Sequence, residues 1–245
     1  MRIVGVIPAR YGSSRFQGKP LAMICGKPMI QRVYERASLV KRLDEVYVAT
    51  DDARIETCCK QKNIPVIMTS TEHRNGSERL SEVARKIIAD IYVTIQGDEP
   101  LLEPSTIDKV IDTIMESDDI PCATLKTAFH NPVDVVNTTT PKVVTDLNDD
   151  ILLFSRSAIP FPNGALDYIF YKAIGVYAFR RQTLLDYGDL SMGPIERAEG
   201  IELLRLVEHG YKVRIREVAS DTVAVDTPKD LKRIEDFIRA NPDLN

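Results

Sequence analysis

Short β-branched runs alternate with amphipathic stretches through the first half of the chain. Ile3–Ile7, Val46–Thr50, Pro65–Met68 and Ile91–Ile95 are apolar runs of strand length, with no polar face, as in strands covered on both sides. Between them lie stretches of helical period: Met29–Leu39 behind Pro28, Ala53–Lys62, Glu78–Ile88, and Ser105–Met115 behind Pro104. Strands that alternate with helices of this length form βαβ units around a mostly parallel sheet. The pattern predicts an α/β fold, doubly wound. Such a sheet presents ligands at the carboxyl ends of its strands, where the strand order reverses.

The second half is less regular. Ala123–Ala128, Lys142–Thr145, Leu152–Phe154, Ile174–Phe179 and Val213–Val218 read as strands, and Phe161–Asp167 as a loop. Glu199–Glu208 reads as one helix ending at Gly210, and Lys229–Arg239 as a closing helix. The chain is expected to form a single domain over 1–245, with a small α/β subdomain at about 122–217 covering one end of the sheet. Neither an internal repeat nor a low-complexity tract is present.

At 245 residues and 44% apolar, the chain can bury a core of ordinary size. Its net charge of −4, with both signs intermixed, lacks the basic stripe of a nucleic-acid binder, so a nucleotide would be held by a local site. The opening residues are too soon interrupted by Pro8 for a signal peptide, and no apolar run approaches the roughly 20 residues of a membrane span. Cys25, Cys58, Cys59 and Cys122 form no CxxC pair and have no histidine at zinc spacing, so they read as reduced thiols. The expected location is cytoplasmic.

Candidate chemistry follows the strands. After the first comes Pro8-Ala9-Arg10-Tyr11-Gly12-Ser13-Ser14-Arg15-Phe16-Gln17-Gly18-Lys19-Pro20. Its backbone N–H groups can line a phosphate cradle, and Arg10, Arg15 and Lys19 can neutralise a triphosphate. A solvated surface loop is the alternative. After the fourth strand, Asp98 in Gln96-Gly97-Asp98-Glu99-Pro100 can hold a metal ion, or it can shape a turn or cap the next helix. Asp226 in Val225-Asp226-Thr227-Pro228 can cap a helix or serve as a second metal ligand. Magnesium takes one or two carboxylates plus phosphate oxygens, so the pair suffices. Asn75 or Ser77 can cap the helix that carries Arg79. His73, His130 and His209 read as surface or packing residues.

Taken together, these segments resemble the CMP-Kdo synthetase family, the 3-deoxy-manno-octulosonate cytidylyltransferases. The resemblance runs nearly end to end, through PARYGSSRFQGKPL, HRNGSERLSEV, VTIQGDEPL, KVVTD, FSRSAIPF and VDTPKDL in order. It implies a doubly wound nucleotidyltransferase fold, a homodimer, magnesium as cofactor, and a role in lipopolysaccharide or capsule assembly. It also implies transfer of CMP from CTP to an acidic acceptor, whose anomeric hydroxyl attacks the α-phosphorus while pyrophosphate leaves. Pro8, Ala9, Arg10, Ser13, Arg15 and Lys19 would meet the phosphates, and Ser77 and Arg79 the cytidine. Gln96 would lie between nucleotide and sugar. Arg156, Tyr177, Glu199 and Glu202 would form the acceptor pocket, and Asp98 and Asp226 would hold magnesium. Arg10, Lys19 and Asp98 would carry catalysis.

Two departures bear on the acceptor. Ala173 stands where the family has His, and Leu203 where it has Gln. Both replace hydrogen-bonding groups with apolar ones, and an acceptor pocket so altered is expected to use the parent sugar poorly. The alternative acceptors are an amino analogue, another keto-acid sugar or a phosphonate. A nucleotide-binding protein without catalysis is a further reading, against which both Asp98 and Asp226 stand.

Overall fold

β1 (Ile3–Ala9) runs through the centre of the sheet, with every residue but Pro8 buried. The computed structural model describes residues 1–12, 16–164, 167–219 and 224–244. The chain continues through β2 (Met23–Ile24), β3 (Lys27–Pro28), α1 (Met29–Ala37), β4 (Glu45–Thr50), α2 (Ala53–Gln61), β5 (Val66–Met68), α3 (Gly76–Lys86), β6 (Ile91–Thr94) and α4 (Pro104–Met115). After these come β7 (Cys122–Ala128), β8 (Lys142–Thr145), β9 (Ile151–Ser155), β10 (Tyr171–Arg180), α5 (Arg181–Asp189), α6 (Pro194–Glu199), α7 (Leu204–Glu208), β11 (Val213–Glu217) and α8 (Pro228–Ala240).

The main sheet has the order β11-β7-β10-β6-β1-β4-β5, and among the described strands on this path β10 alone runs against its neighbours. Alternate β1 residues face opposite cores, as strand geometry requires. Ile3 and Ile7 pack with α1, α2 and α4, while Val4 and Val6 pack with α3, α5 and α7. The doubly wound, mostly parallel arrangement matches the sequence pattern.

The strand order reverses beside β1. The chain leaves β1 for β4 and β5 on one side, then returns to β6 on the other. Pairing with β6 ends at Val6–Thr94, whereas pairing with β4 continues to Ala9–Thr50. The sheet therefore opens between β1 and β6. Pro8, which cannot donate a hydrogen bond, lies in the stretch that no longer meets β6.

Of the 122–217 region, β7, β10 and β11 lie within the main sheet. The β8–β9 ribbon lies off its path and pairs with β10 through Lys142–Lys172 and Val143–Tyr171. One helical expectation is corrected, and one helix is new. The single helix over Glu199–Glu208 is two, because Gly200 takes a left-handed φ of +63° and ends α6. Helix α5 carries only a weak apolar stripe, Thr183, Leu184 and Tyr187, and the pattern did not announce it. All four cysteines are free thiols, and no helix among the described residues is long and apolar enough to cross a membrane.

Candidate nucleotide and acceptor site

The opening between β1 and β6 is a cleft of about 380 Å³, bordered by Pro8, Ala9, Arg10, Lys19, Gln96 and Asp98. The loop after β1 closes on itself through Gly18 N–H donating to Tyr11 O at 2.9 Å. Gly18 has φ +70°, and a Cβ there would lie 3.1 Å from the Tyr11 ring. Glycine is needed on both counts. The Arg54 guanidinium stacks on that ring at 3.3 Å, and Asp52 holds Arg54 through two side-chain hydrogen bonds of 2.9 and 2.6 Å. Lys19 follows Gly18 directly and so enters the cleft at a fixed angle. Ser13 and Arg15, expected to meet phosphate, lie outside the described residues.

Lys19 Nζ lies 2.6 Å from Asp98 Oδ2 and 3.6 Å from Asp226 Oδ1. The helix caps exclude the capping alternative for both aspartates, while Asp98 does lie in a turn that Glu99 N–H closes on Gln96 O at 3.3 Å. Thr227 caps α8 in a capping box with Asp230, and the α4 cap position is Glu103, without a side-chain bond. Neither aspartate is used as a cap. Val225 N–H donates to Asp98 O at 2.8 Å, which brings Asp226 alongside Asp98. The two carboxylates converge on one ammonium, and the same pair could hold a divalent cation. No cluster of three or more His, Cys, Asp or Glu side chains forms a metal site among the described residues. Two carboxylates with phosphate oxygens are a normal magnesium set.

Asn75 caps α3 by accepting from Glu78 N–H at 2.8 Å. Arg79, 3% exposed, borders the cleft and is held by Asp51 at 2.8 Å and by the Thr69 hydroxyl. Ser77 is 0% exposed and does not border the cleft, and its N–H donates to Glu202 Oε2 at 3.0 Å. A residue in the first helical turn has a free N–H, and here a carboxylate takes it. Gln96 lies across Gly175 of β10, where an added Cβ would stand 2.8 Å from its Cγ.

A second cavity of about 370 Å³ adjoins the first. They share Arg74, Asn75, Gly200 and Glu202, and the second is further bordered by Arg156 and Tyr177. Burial lifts the Glu202 carboxyl above its ordinary range, against the pull of the Ser77 and Gly76 N–H groups, with Glu196 adding to the rise. Burial, then the Glu202 and Glu99 charges, push the Tyr177 phenol well above its own. Both groups therefore stay protonated to higher pH than usual.

Arg156 donates from Nε to Glu199 O at 2.7 Å and from Nη1 to Thr138 O and Thr139 O at 3.0 and 3.2 Å. Glu199 does not border the second cavity. Its oxygens accept from the Ser155 hydroxyl at 2.6 Å and Arg156 N–H at 2.8 Å. Burial would raise its carboxyl, but these donors hold it below its ordinary range. Glu199 thus holds the main chain of Arg156.

The two departures from the family pattern, Ala173 and Leu203, sit in the packing rather than in a cavity wall. Leu203 is 1% exposed within the α3–α5–α7 core, and Ala173 packs against that core. Neither borders either cavity. Two residues escaped the sequence reading. Arg74 lies in the shared wall, inside a motif whose neighbours drew attention instead. Arg205 is 1% exposed and paired with Glu196 at 2.7 Å and Glu78 at 2.9 Å. Its one signal was a charge between Leu204 and Leu206 on a buried face.

The cytidylyltransferase family model matches residues 4–217. The 3-deoxy-manno-octulosonate cytidylyltransferase of Solibacter usitatus is 42% identical, over 98% of this chain and 96% of that protein. The 8-amino-3,8-dideoxy-manno-octulosonate cytidylyltransferase of Shewanella baltica is also 42% identical, over 96% and 98%. A solved structure of CMP:2-keto-3-deoxy-manno-octonic acid synthetase complexed with CTP aligns with a TM-score of 0.93 at 43% identity, covering 98% of this chain and 99% of that one. With the paired carboxylates at the switch point and an adjoining second cavity, these likenesses place the chain in the cytidylyltransferase family, among the 3-deoxy-manno-octulosonate cytidylyltransferases.

Proposed function

We propose that this chain transfers CMP from CTP to 3-deoxy-manno-octulosonate and releases pyrophosphate, for lipopolysaccharide assembly in the cytoplasm. The observation that carries the reading is the pair of cavities with a common wall, one holding Lys19 between two carboxylates and the other holding Arg156. The triphosphate fits the first cavity, where Arg10 and Lys19 neutralise it. The acidic sugar fits the second, its carboxylate toward Arg156 and its hydroxyls toward Glu202 and Tyr177. Gln96 stands at the boundary.

The anomeric hydroxyl attacks the α-phosphorus, the bond to the bridging oxygen breaks, and pyrophosphate leaves with its charge. Two anions must be brought together, so positioning and charge neutralisation do most of the work. Asp98 and Asp226 would hold magnesium, which when bound orients the nucleophile and spreads the developing charge. Lys19 lies close enough to the pair to follow charge onto the leaving group.

A pyrophosphate-release assay tests the reading. Release with CTP and 3-deoxy-manno-octulosonate is expected, and none with that sugar or its 8-amino analogue would overturn it. The equal identity to the Shewanella protein makes the analogue the second substrate to assay. Phosphonates complete the panel. Lys19→Ala is expected to lower kcat/KM for CTP by about ten- to a hundredfold, since a cation matched to the transition state is lost. Unchanged steady-state constants in a folded variant would leave Lys19 only a structural tie to Asp98 and Asp226.

The chain is further proposed to act as a homodimer, which would cover exposed apolar side chains such as Val133 and Val136. The β8–β9 ribbon would be the acceptor-side part of its single domain. A monomer mass in light scattering at micromolar concentration would contradict the dimer.

A further inference from the structure

Lys142 opens β8 and is 0% exposed, yet no carboxylate accepts from its ammonium among the described residues. Its Nζ donates to three main-chain carbonyls: Asn137 at 2.8 Å, Thr140 at 3.0 Å and Arg156 at 2.5 Å. The two carbonyls between the first pair, Thr138 and Thr139, accept from the Arg156 guanidinium. Successive carbonyls from 137 to 140 are thus divided between two cations, the outer ones on Lys142 and the inner ones on Arg156. A local turn aims them. Asn137 Oδ1 accepts from the Thr139 N–H at 3.0 Å and hydroxyl at 2.8 Å, and Thr140 N–H closes the turn on Asn137 O at 3.3 Å.

Neutral carbonyls hold a cation in place without cancelling its charge, which a carboxylate would do. Glu199, whose charge reaches Lys142, gives both its oxygens to the Ser155 hydroxyl and the Arg156 N–H. Burial, and then Arg156, lower the tendency of Lys142 to stay protonated, and Glu199 opposes them. A neutral donor could tie the same carbonyls without the cost of desolvating a charge. A buried ammonium is therefore suited to something beyond tying a loop.

We propose that Lys142 is a positioning residue for acceptor recognition: with the 137–140 carbonyl turn it locks Arg156 in place and keeps the acceptor wall electropositive, so that the site selects an anionic acceptor. The proposal rests on the reading that Arg156 meets the acceptor's carboxylate. Lys142→Gln keeps N–H donors and removes the charge. It is expected to raise KM for the acidic sugar about tenfold, leave KM for CTP within about twofold, and lower selectivity for the acid over its carboxamide by the same tenfold. Equal loss with acid and carboxamide, equal loss toward CTP, or no change would each overturn the proposal. Should Lys142→Gln fail to fold, Asn137→Ala at the exposed turn disturbs the same carbonyls. It is expected to reduce acid selectivity in the same sense, and unchanged selectivity would overturn the proposal. Arg156→Ala separates the two layers. If it leaves acceptor KM unchanged, the underlying reading falls and Lys142 with it. If it raises acceptor KM while Lys142→Gln does nothing, only the Lys142 role falls.

Discussion

Asp98→Asn is expected to reduce kcat by about 10²–10³ while the protein remains folded, on the scale of losing one preorganised electrostatic contact at a reacting phosphate. The fold should tolerate the change because the stitch to Val225 uses the main-chain carbonyl of Asp98, not its carboxylate. The side chain is 2.6 Å from Lys19 Nζ, where an amide keeps the shape and gives up the charge. Excess magnesium should recover part of the lost rate, since weaker ligation is offset by mass action. The check is single-turnover kinetics across a magnesium titration. A variant that turns over near the normal rate at ordinary magnesium would remove Asp98 from the metal set.

Arg205→Met should lower stability by about 3–5 kcal/mol at pH 7, because breaking a buried pair leaves uncompensated charge. Arg205 joins Glu196 of α6 to Glu78 of α3 and lies 4.5 Å from the Tyr187 ring. In the intact protein burial works to raise the Glu78 carboxyl, but donors on Arg74 and Arg205 bring it below its ordinary range. Without Arg205 that pull weakens, although the Arg74 donors remain, and the folded-state value moves back toward the unfolded one. Stability from a depressed carboxylate is present above its unfolded value and is lost as pH falls through the folded one. The deficit should therefore shrink between pH 7 and about pH 4. Urea melts at the two pH values decide the matter, and a loss below about 1 kcal/mol at pH 7 would show that the ion network is replaceable.

The parallel half of the fold was legible because its strands are covered on both faces and its helices carry clear stripes, so local pattern and tertiary burial agree. Helix α5 was not, since its buried set is small and Gly188 stands inside it. The break at Gly200 was missed because glycine within a helical pattern reads as a weak residue rather than a stop. In the site, the charges of Arg10, Lys19, Asp98 and Asp226 could be read because polar residues after buried strands have few structural reasons to be there. The contacts of Ser77 and Glu199 were not legible. Their partners, Glu202 and Arg156, lie far along the chain, and no spacing rule reports such a pairing. The same holds for Leu203, whose motif position suggested a ligand and whose neighbours are core.

Helix α8 follows the last strand and adds nothing to the sheet. It has a small core of its own, in which Ile234 and Ile238 meet Ile24, Met29 and Val225, and Glu235 accepts from Cys25 N–H at 3.0 Å. That docking brings Asp226 back to a loop laid down near the middle of the chain. During synthesis both main cores can close once β11 has emerged from the ribosome, yet the carboxylate pair cannot form until α8 has followed. A chain that ends before α8 would therefore lack the carboxylate beside Asp98, and on the proposed role of that pair it would turn over slowly even with its sheet formed.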